Sequence, residues 1–396
     1  MTFKQADRLK GIPMSRTRVM LRKCQELRAA GEKVTALTLG EPDFDTPEYI
    51  TMACKKALDD GLTKYTDSTG PLELREAICR KLKRENGLVY CPEEISVTSG
   101  VEQGTFAAFM SFLNPGDEVL VQDPVYLTYT TIPGIAGATV KTYSLLEEND
   151  FQPDMNQLRS LVTDKTKMIA IVSPGNPTGS IFTRESLEAI AELAREKNLL
   201  VVSDEIYERL TYGEKDEVVS IASLPGMKER TILLNGLSKS MAMTGWRIGY
   251  MAAPPELIDP LNRMAFYMTA GATSFAQYAA AEALDGDDGS AEKMRLEFKK
   301  RRDYLVGEIN EMENFSCIAP QGAFYVFMNI KKTGMKSEEF CDYALEQYRL
   351  AMMPGDVFGQ CGEGFVRLSY AASRQVLEEA VCILKDIDHE ISQKMV

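Results

Sequence analysis

Short apolar runs separated by longer amphipathic stretches set the predicted order of this chain. Residues 34–39, 95–98, 118–121, 168–172, 199–202 and 231–234 read as strands, and 168–172 as one buried in a parallel sheet. Between them apolar positions recur at helical spacing. Over 15–30 they are Val19, Met20, Leu21, Cys24 and Leu27, set among basic residues and stopped by Gly31. Further helices are predicted over 48–60, 71–86, 101–113 and 184–197, the first with Thr46 as N-cap and Pro47 at the opening helical position.

Beyond residue 250 the pattern changes. Two helices fill 254–280 around a loop at Gly271, and DGDDGS at 285–290 is a break in composition. A long charged amphipathic helix over 291–312 then bridges into a second region. There strands at 315–318, 323–330 and 365–370 alternate with helices at 337–348 and 375–392, an α+β arrangement. The predicted division is 1–45 joining the small domain, 46–290 as the large domain and 291–396 as the small one.

Composition narrows the chemistry. At 396 residues and 44% apolar, the chain exceeds the usual size of a single core. A net charge of −13 argues against nucleic acid or an anionic membrane as partner. Eight cysteines are scattered without a C-x-x-C pair, and the only histidine, His389, reads as a solvated tail residue. A metal site, a Ser-His-Asp triad and a Cys-His dyad therefore find no support. Neither a signal-like apolar core at 1–15 nor a run of about 18 apolar residues occurs, so a cytoplasmic protein with reduced thiols is expected.

One lysine stands out. The strand 231–234 delivers Lys239 onto a turn within NGLSKSMAMTGWRIGY (235–250), with Arg247 eight residues later. Like charge from Arg247 and shelter from Met241, Met243 and Trp246 would disfavour its ammonium form and leave a reactive amine. Other candidates share that placement at strand ends. The Ser99-Gly100 turn opening a helix offers the N–H groups of Gly100, Val101 and Glu102 to an anion such as a phosphate. Asp204 closes a buried strand where α/β sheets keep ligands, with Tyr207 three residues on; an N-cap Asp and a core Tyr are the plain alternative. Asn176 sits in the rigid loop SPGNPTG, as a directed hydrogen-bonding group or a turn former. Arg367, within an apolar strand, needs an anionic partner, either a ligand carboxylate or an internal salt bridge.

GLSKSMAMTGWRIG resembles the lysine segment of class I/II aminotransferases, enzymes of fold type I that use pyridoxal 5′-phosphate (PLP), and in particular their aspartate aminotransferase-like subgroup. Further motifs extend the likeness in family order from about Leu39 to about Tyr370. The resemblance implies an α/β three-layer sandwich whose mostly parallel central sheet carries the cofactor, plus the smaller α+β domain. It implies Lys239 as covalent anchor and general base, Arg247 with Gly100, Val101 and Glu102 at the phosphate, and Tyr126 stacked on the ring. Asp204 would keep the ring nitrogen protonated, with Asn176 and Tyr207 at the 3′-oxygen. Gly40, Asn176 and Arg367 would meet the substrate, Arg367 at its carboxylate. Tyr65 would cross a homodimer interface to the partner's phosphate.

The implied reaction is ping-pong transfer of an amino group between an L-amino acid and a 2-oxo acid. A PLP-dependent carbon–sulfur β-lyase, a decarboxylating enzyme and a non-catalytic regulator are the alternatives. Two departures from the family pattern matter. Glu102 stands where aspartate-preferring relatives carry a lysine, which predicts a neutral, aromatic or cationic amino donor. Gly236 stands where many relatives have a phosphate-binding serine, leaving Ser238 as the available hydroxyl.

Overall fold

The computed structural model describes residues 3–10, 12, 16–213 and 218–395. In chain order the strands are β1 (Thr35–Ala36), β2 (Ile95–Thr98), β3 (Glu118–Asp123), β4 (Thr139–Ser144), β5 (Thr166–Val172), β6 (Leu200–Asp204), β7 (Thr231–Gly236), β8 (Gly249–Ala252), β9 (Tyr325–Asn329), β10 (Leu350–Ala351), β11 (Met353–Pro354) and β12 (Phe365–Ser369). Seven form one sheet in the order β2-β8-β7-β6-β5-β3-β4, in which only β8 runs antiparallel to its neighbours. Both faces of this sheet are covered. Every residue of β2, β7 and β8 is buried, because helices such as Leu72–Asn86 and Ser274–Asp285 pack on one side and Val101–Phe112 and Pro255–Thr269 on the other.

A smaller antiparallel sheet, β11-β12-β9, belongs to the C-terminal region, and β1 pairs in parallel with β10. The helix Ser290–Asn310 leads into this region and buries Phe298, Leu305 and Ile309. Among the described residues, no helix is long and apolar enough to cross a membrane.

Several expectations need correction. The helix predicted from residue 15 runs Arg16–Ala29, and Ser15 lies outside the described residues. Residues 315–318 form no strand, only a bridge between Ser316 and Asn329. Asn310 explains it: its side chain takes both the N–H (2.8 Å) and the C=O (3.0 Å) of Cys317, which a ladder would have needed. The strand expected over 34–39 shrinks to β1, since the Thr38 carbonyl is taken by Arg367. Thr46 does not cap a helix. Pro47 holds that position, and the Thr46 hydroxyl instead donates to the Ala242 carbonyl (2.7 Å) and accepts from Trp246 Nε1 (2.9 Å).

Candidate active site

A cavity of about 310 Å³ opens at the carboxyl ends of β5, β6 and β7, bounded by Val172, Asp204 and Ser238 below and by Gly40, Tyr325 and Arg367 from the other side. Lys239 reaches into it from the turn between β7 and β8, its Nζ donating to the Gly40 carbonyl (2.6 Å). Its pKa is lowered to about 8, chiefly by burial and with help from Arg247 and Arg367, against the opposing charges of Glu41 and Asp204. The amine is therefore readily deprotonated, as the sequence predicts, but the shelter comes from elsewhere. Met241, Met243 and Trp246 pack into the core beneath the turn and do not line the cavity. The loop 40–47 lies over the amine instead, tied down by Lys239 to Gly40, Thr244 to Glu41 (3.0 Å) and Trp246 to Thr46.

Asp204 ends β6 fully inside the protein. Its carboxylate accepts from the Tyr129 hydroxyl and from the Ile206 amide (3.0 Å). Burial nevertheless raises its pKa to about 6 against those bonds. Glu205 turns the other way, accepts from Ser203 (2.9 Å) and Ser220 (2.7 Å), and is pushed by burial to about 8, a supporting group outside the cavity. Tyr207 shares a hydrogen bond with Tyr325 (3.0 Å), whose hydroxyl fills the space a Gly40 side chain would need.

Arg367 is 4% exposed and, among the described residues, makes no bond to a carboxylate. Nη1 donates to Asn176 Oδ1 (3.0 Å), Nη2 to the Thr38 carbonyl (2.8 Å), and buried Nε has no partner. The guanidinium lies 4.4 Å from the centre of the Tyr325 ring and 4.9 Å from that of Phe358. A buried, full positive charge held only by neutral acceptors is a site prepared for an anion, and among the described residues no internal salt bridge holds it.

At the opposite end, Gly100 opens the helix Val101–Phe112 directly against the Arg247 guanidinium, at a φ of +80° that strains any side chain there. Backbones continue that close approach. A Cβ on Gly249 would lie 2.7 Å from Gly100 C and Val101 N, and one on Gly236 would lie 2.9 Å from Gly249 Cα. The missing serine at 236 has this cause. Ser238, buried and lining the cavity, is the hydroxyl present.

The sequence profile described as "Aminotransferase class I and II" matches residues 32–384. The chain belongs to the class I and II aminotransferases. It is 42% identical over 365 residues to the aromatic-amino-acid aminotransferase 2 of Thermococcus litoralis, covering 91% of this chain and 93% of that one. With the aspartate aminotransferase of Bacillus subtilis it shares 41% over 385 residues, 96% and 97% of the two chains. The solved aspartate aminotransferase of Thermus thermophilus with maleate superposes with a TM-score of 0.93 at 38% identity, over 98% of this chain and all of that one.

As a class I/II aminotransferase the protein is a PLP-dependent transaminase, and its relatives do not favour the lyase alternative. The residues present fit the cofactor: a buried amine of lowered pKa for its aldehyde, a helix start closed by Arg247 for its phosphate, and a buried carboxylate for its ring nitrogen. Of the predicted site, Gly40, Val101, Glu102, Tyr126, Asn176, Asp204, Tyr207, Lys239, Arg247 and Arg367 line one cavity. Gly100 is behind Arg247. Tyr65 is not part of it. It is 95% exposed and flanks a separate hollow beside residues 270–274.

Tyr129 and Tyr325 are cavity residues that the sequence reading missed. Tyr129 lies on the helix Thr128–Ile135, which contains Pro133 and Gly134 and so lacks a helical signature; its spacing three residues after Tyr126 is the signal available.

Proposed function

We propose that Lys239 carries PLP and moves the substrate proton, that Gly100, Val101, Ser238 and Arg247 hold the phosphate, and that Arg367 grips the α-carboxylate. The amine of Lys239 carries this reading: it is buried, lowered to about 8, and shares one cavity with Asp204 and with an arginine that lacks an anion. When bound, PLP supplies a ring that stabilises negative charge at the substrate Cα. Arg367 offers Nε and its two Nη groups to the carboxylate, a planar fork that fixes the amino acid's orientation. Lys239 Nζ, uncharged above its pKa, takes the proton from Cα. Asp204, held by Tyr129 and Ile206, presents its negative charge to the ring nitrogen, and Asn176 and Tyr207 donate to the 3′-oxygen. Loop 40–47 lies over Lys239 and keeps water from it.

The lobe carrying Arg367, residues 291–396 with the segment 1–45, thus brings the substrate clamp, and residues 46–290 bring the cofactor site. Pairing of β1 with β10 supports that division. A donor other than aspartate is favoured because Glu102 places a carboxylate in the cavity. Eight cysteines without a disulfide support a reducing, cytoplasmic setting.

Acetylation by acetic anhydride of the cofactor-free protein, followed residue by residue by mass spectrometry, tests the assignment of Lys239. Its labelling rate is expected to reach half-maximum near pH 8, because only the unprotonated amine reacts, whereas exposed lysines continue rising to about pH 10. A Lys239 that labels like the surface set would remove the basis of the reading.

A homodimer completes it. Tyr65, exposed and outside its own cavity, shares a hollow with residues 270–274, which follow the helix Pro255–Thr269 carrying exposed Phe266 and Tyr267, a combination that fits burial against a second copy. Coexpressing Lys239→Ala with Tyr65→Ala chains checks this. If Tyr65 serves the partner, a hybrid dimer has one site lacking both residues and one intact site. The isolated hybrid is expected to show about half of wild-type activity, and an inactive hybrid would refute the exchange.

A further inference from the structure

The Lys239 cavity has a larger neighbour of about 610 Å³, and Glu102, Tyr126 and Arg247 line both. Past these three residues the walls are mostly apolar, with Phe106, Ile132, Ile135, Met268 and Val357. Glu102 stands at the junction, exposed on the first turn of the helix Val101–Phe112 and lining both cavities. Thr128 donates to its Oε1 (2.7 Å), while among the described residues Oε2 receives no hydrogen bond and the carboxylate enters no ion pair. Arg247, the other charge at the junction, is turned to Gly100 and donates to the Thr244 carbonyl (3.0 Å), where the phosphate is assigned. With that phosphate in place, Glu102 is the fixed charge left uncompensated between the two cavities.

We propose that the second cavity is the side-chain subsite for the amino donor, and that Glu102 makes it select a cation carried on an apolar stem, as in lysine or ornithine. The proposal rests on the first cavity being the transamination site. A methylene stem is favoured by the apolar walls, and an ammonium or guanidinium at Glu102 supplies an opposite charge to a carboxylate held at its edge by Thr128. The exposed face of Tyr126 adds attraction for the same charge. A neutral aliphatic donor gains the walls but leaves Glu102 unpaired, and an acidic donor meets a like charge.

The test uses the PLP-loaded enzyme in single-turnover half-reactions with L-lysine, L-ornithine, L-norleucine, L-phenylalanine and L-aspartate. Norleucine is lysine's stem without the ammonium group. A binding arm compares 6-aminohexanoate with hexanoate by calorimetry, two carboxylates that lack the reacting amine. Lysine is expected to exceed norleucine in kcat/KM by about tenfold or more, the equivalent of ~1.4 kcal/mol, with 6-aminohexanoate tighter than hexanoate by a similar factor. Glu102→Gln, of nearly the same shape, should erase both differences, and Glu102→Lys should shift preference toward aspartate. Norleucine, phenylalanine or aspartate matching lysine in the wild-type enzyme overturns the proposal, as does a lysine preference that survives Glu102→Gln. Conversion of no donor at all would strike the assigned transamination site instead, and the binding arm then decides the subsite alone.

Discussion

Replacing Lys239 by alanine is expected to lower kcat/KM for transamination by at least about 10⁴-fold, because one substitution removes both the covalent anchor and the proton carrier. The fold should not suffer. Among the described residues the Lys239 amine makes a single hydrogen bond, to the Gly40 carbonyl, and its pKa is lowered to about 8 mainly because burial penalises its charge. Its removal relieves that penalty at neutral pH, so thermal denaturation of the cofactor-free variant should match or exceed wild type. Borohydride treatment in the presence of PLP should fix the cofactor to the wild-type chain at residue 239 and leave the variant unlabelled there. Equal labelling of both, or transamination by the variant within tenfold of wild type, would contradict the assignment.

The second large effect is expected at Asp204. Changing it to asparagine should reduce kcat on the order of 10³-fold, a loss of ~4 kcal/mol of transition-state stabilisation, since a neutral amide cannot hold the ring nitrogen protonated. Stability should move the other way. Burial raises the carboxyl from its ordinary 3.8 to about 6, so the folded state binds this proton more tightly than the unfolded chain does. Native stability from this group is fully present below pH 4 and is lost as pH rises toward 6. An asparagine carries no such penalty. Its Oδ1 can still accept from Ile206, and its amide can donate to the Tyr129 hydroxyl. Cofactor-free Asp204→Asn should therefore melt no lower than wild type at pH 7.5, with the difference shrinking at pH 4.5. A variant that loses activity only because it unfolds would show the reverse.

Much of the site was legible in the sequence because each main residue ends a strong local signal. Asn176 follows β5, Asp204 ends β6 and Lys239 follows β7, so the order of the large sheet brings these three to one end of it, while Arg367 stands out as the charge inside the apolar β12 and reaches the cavity from the small sheet. Side-chain direction within turns was not legible. Met241 and Met243 neighbour Lys239 in sequence yet face the core, while the residues that shelter it come from loop 40–47, about two hundred positions away. Tyr325 and the Thr46 hydroxyl escaped notice for the same reason, since their partners are long-range. Tyr65 shows another limit: its own chain gives it no function, and only resemblance singles it out.

Gly236, Gly249 and Gly100 touch backbone to backbone beneath Arg247, each leaving no volume for the next. Gly249 therefore couples β7 to the helix start. A methyl group on Gly249 would press on the helix start at Gly100 and Val101, and one on Gly236 would press on β8 at Ile248 and Gly249, so the second substitution of this pair should add less damage than it does alone. A serine at 236 would require β8 to move away at Ile248 and Gly249, and that shift would carry through to the seat of the phosphate.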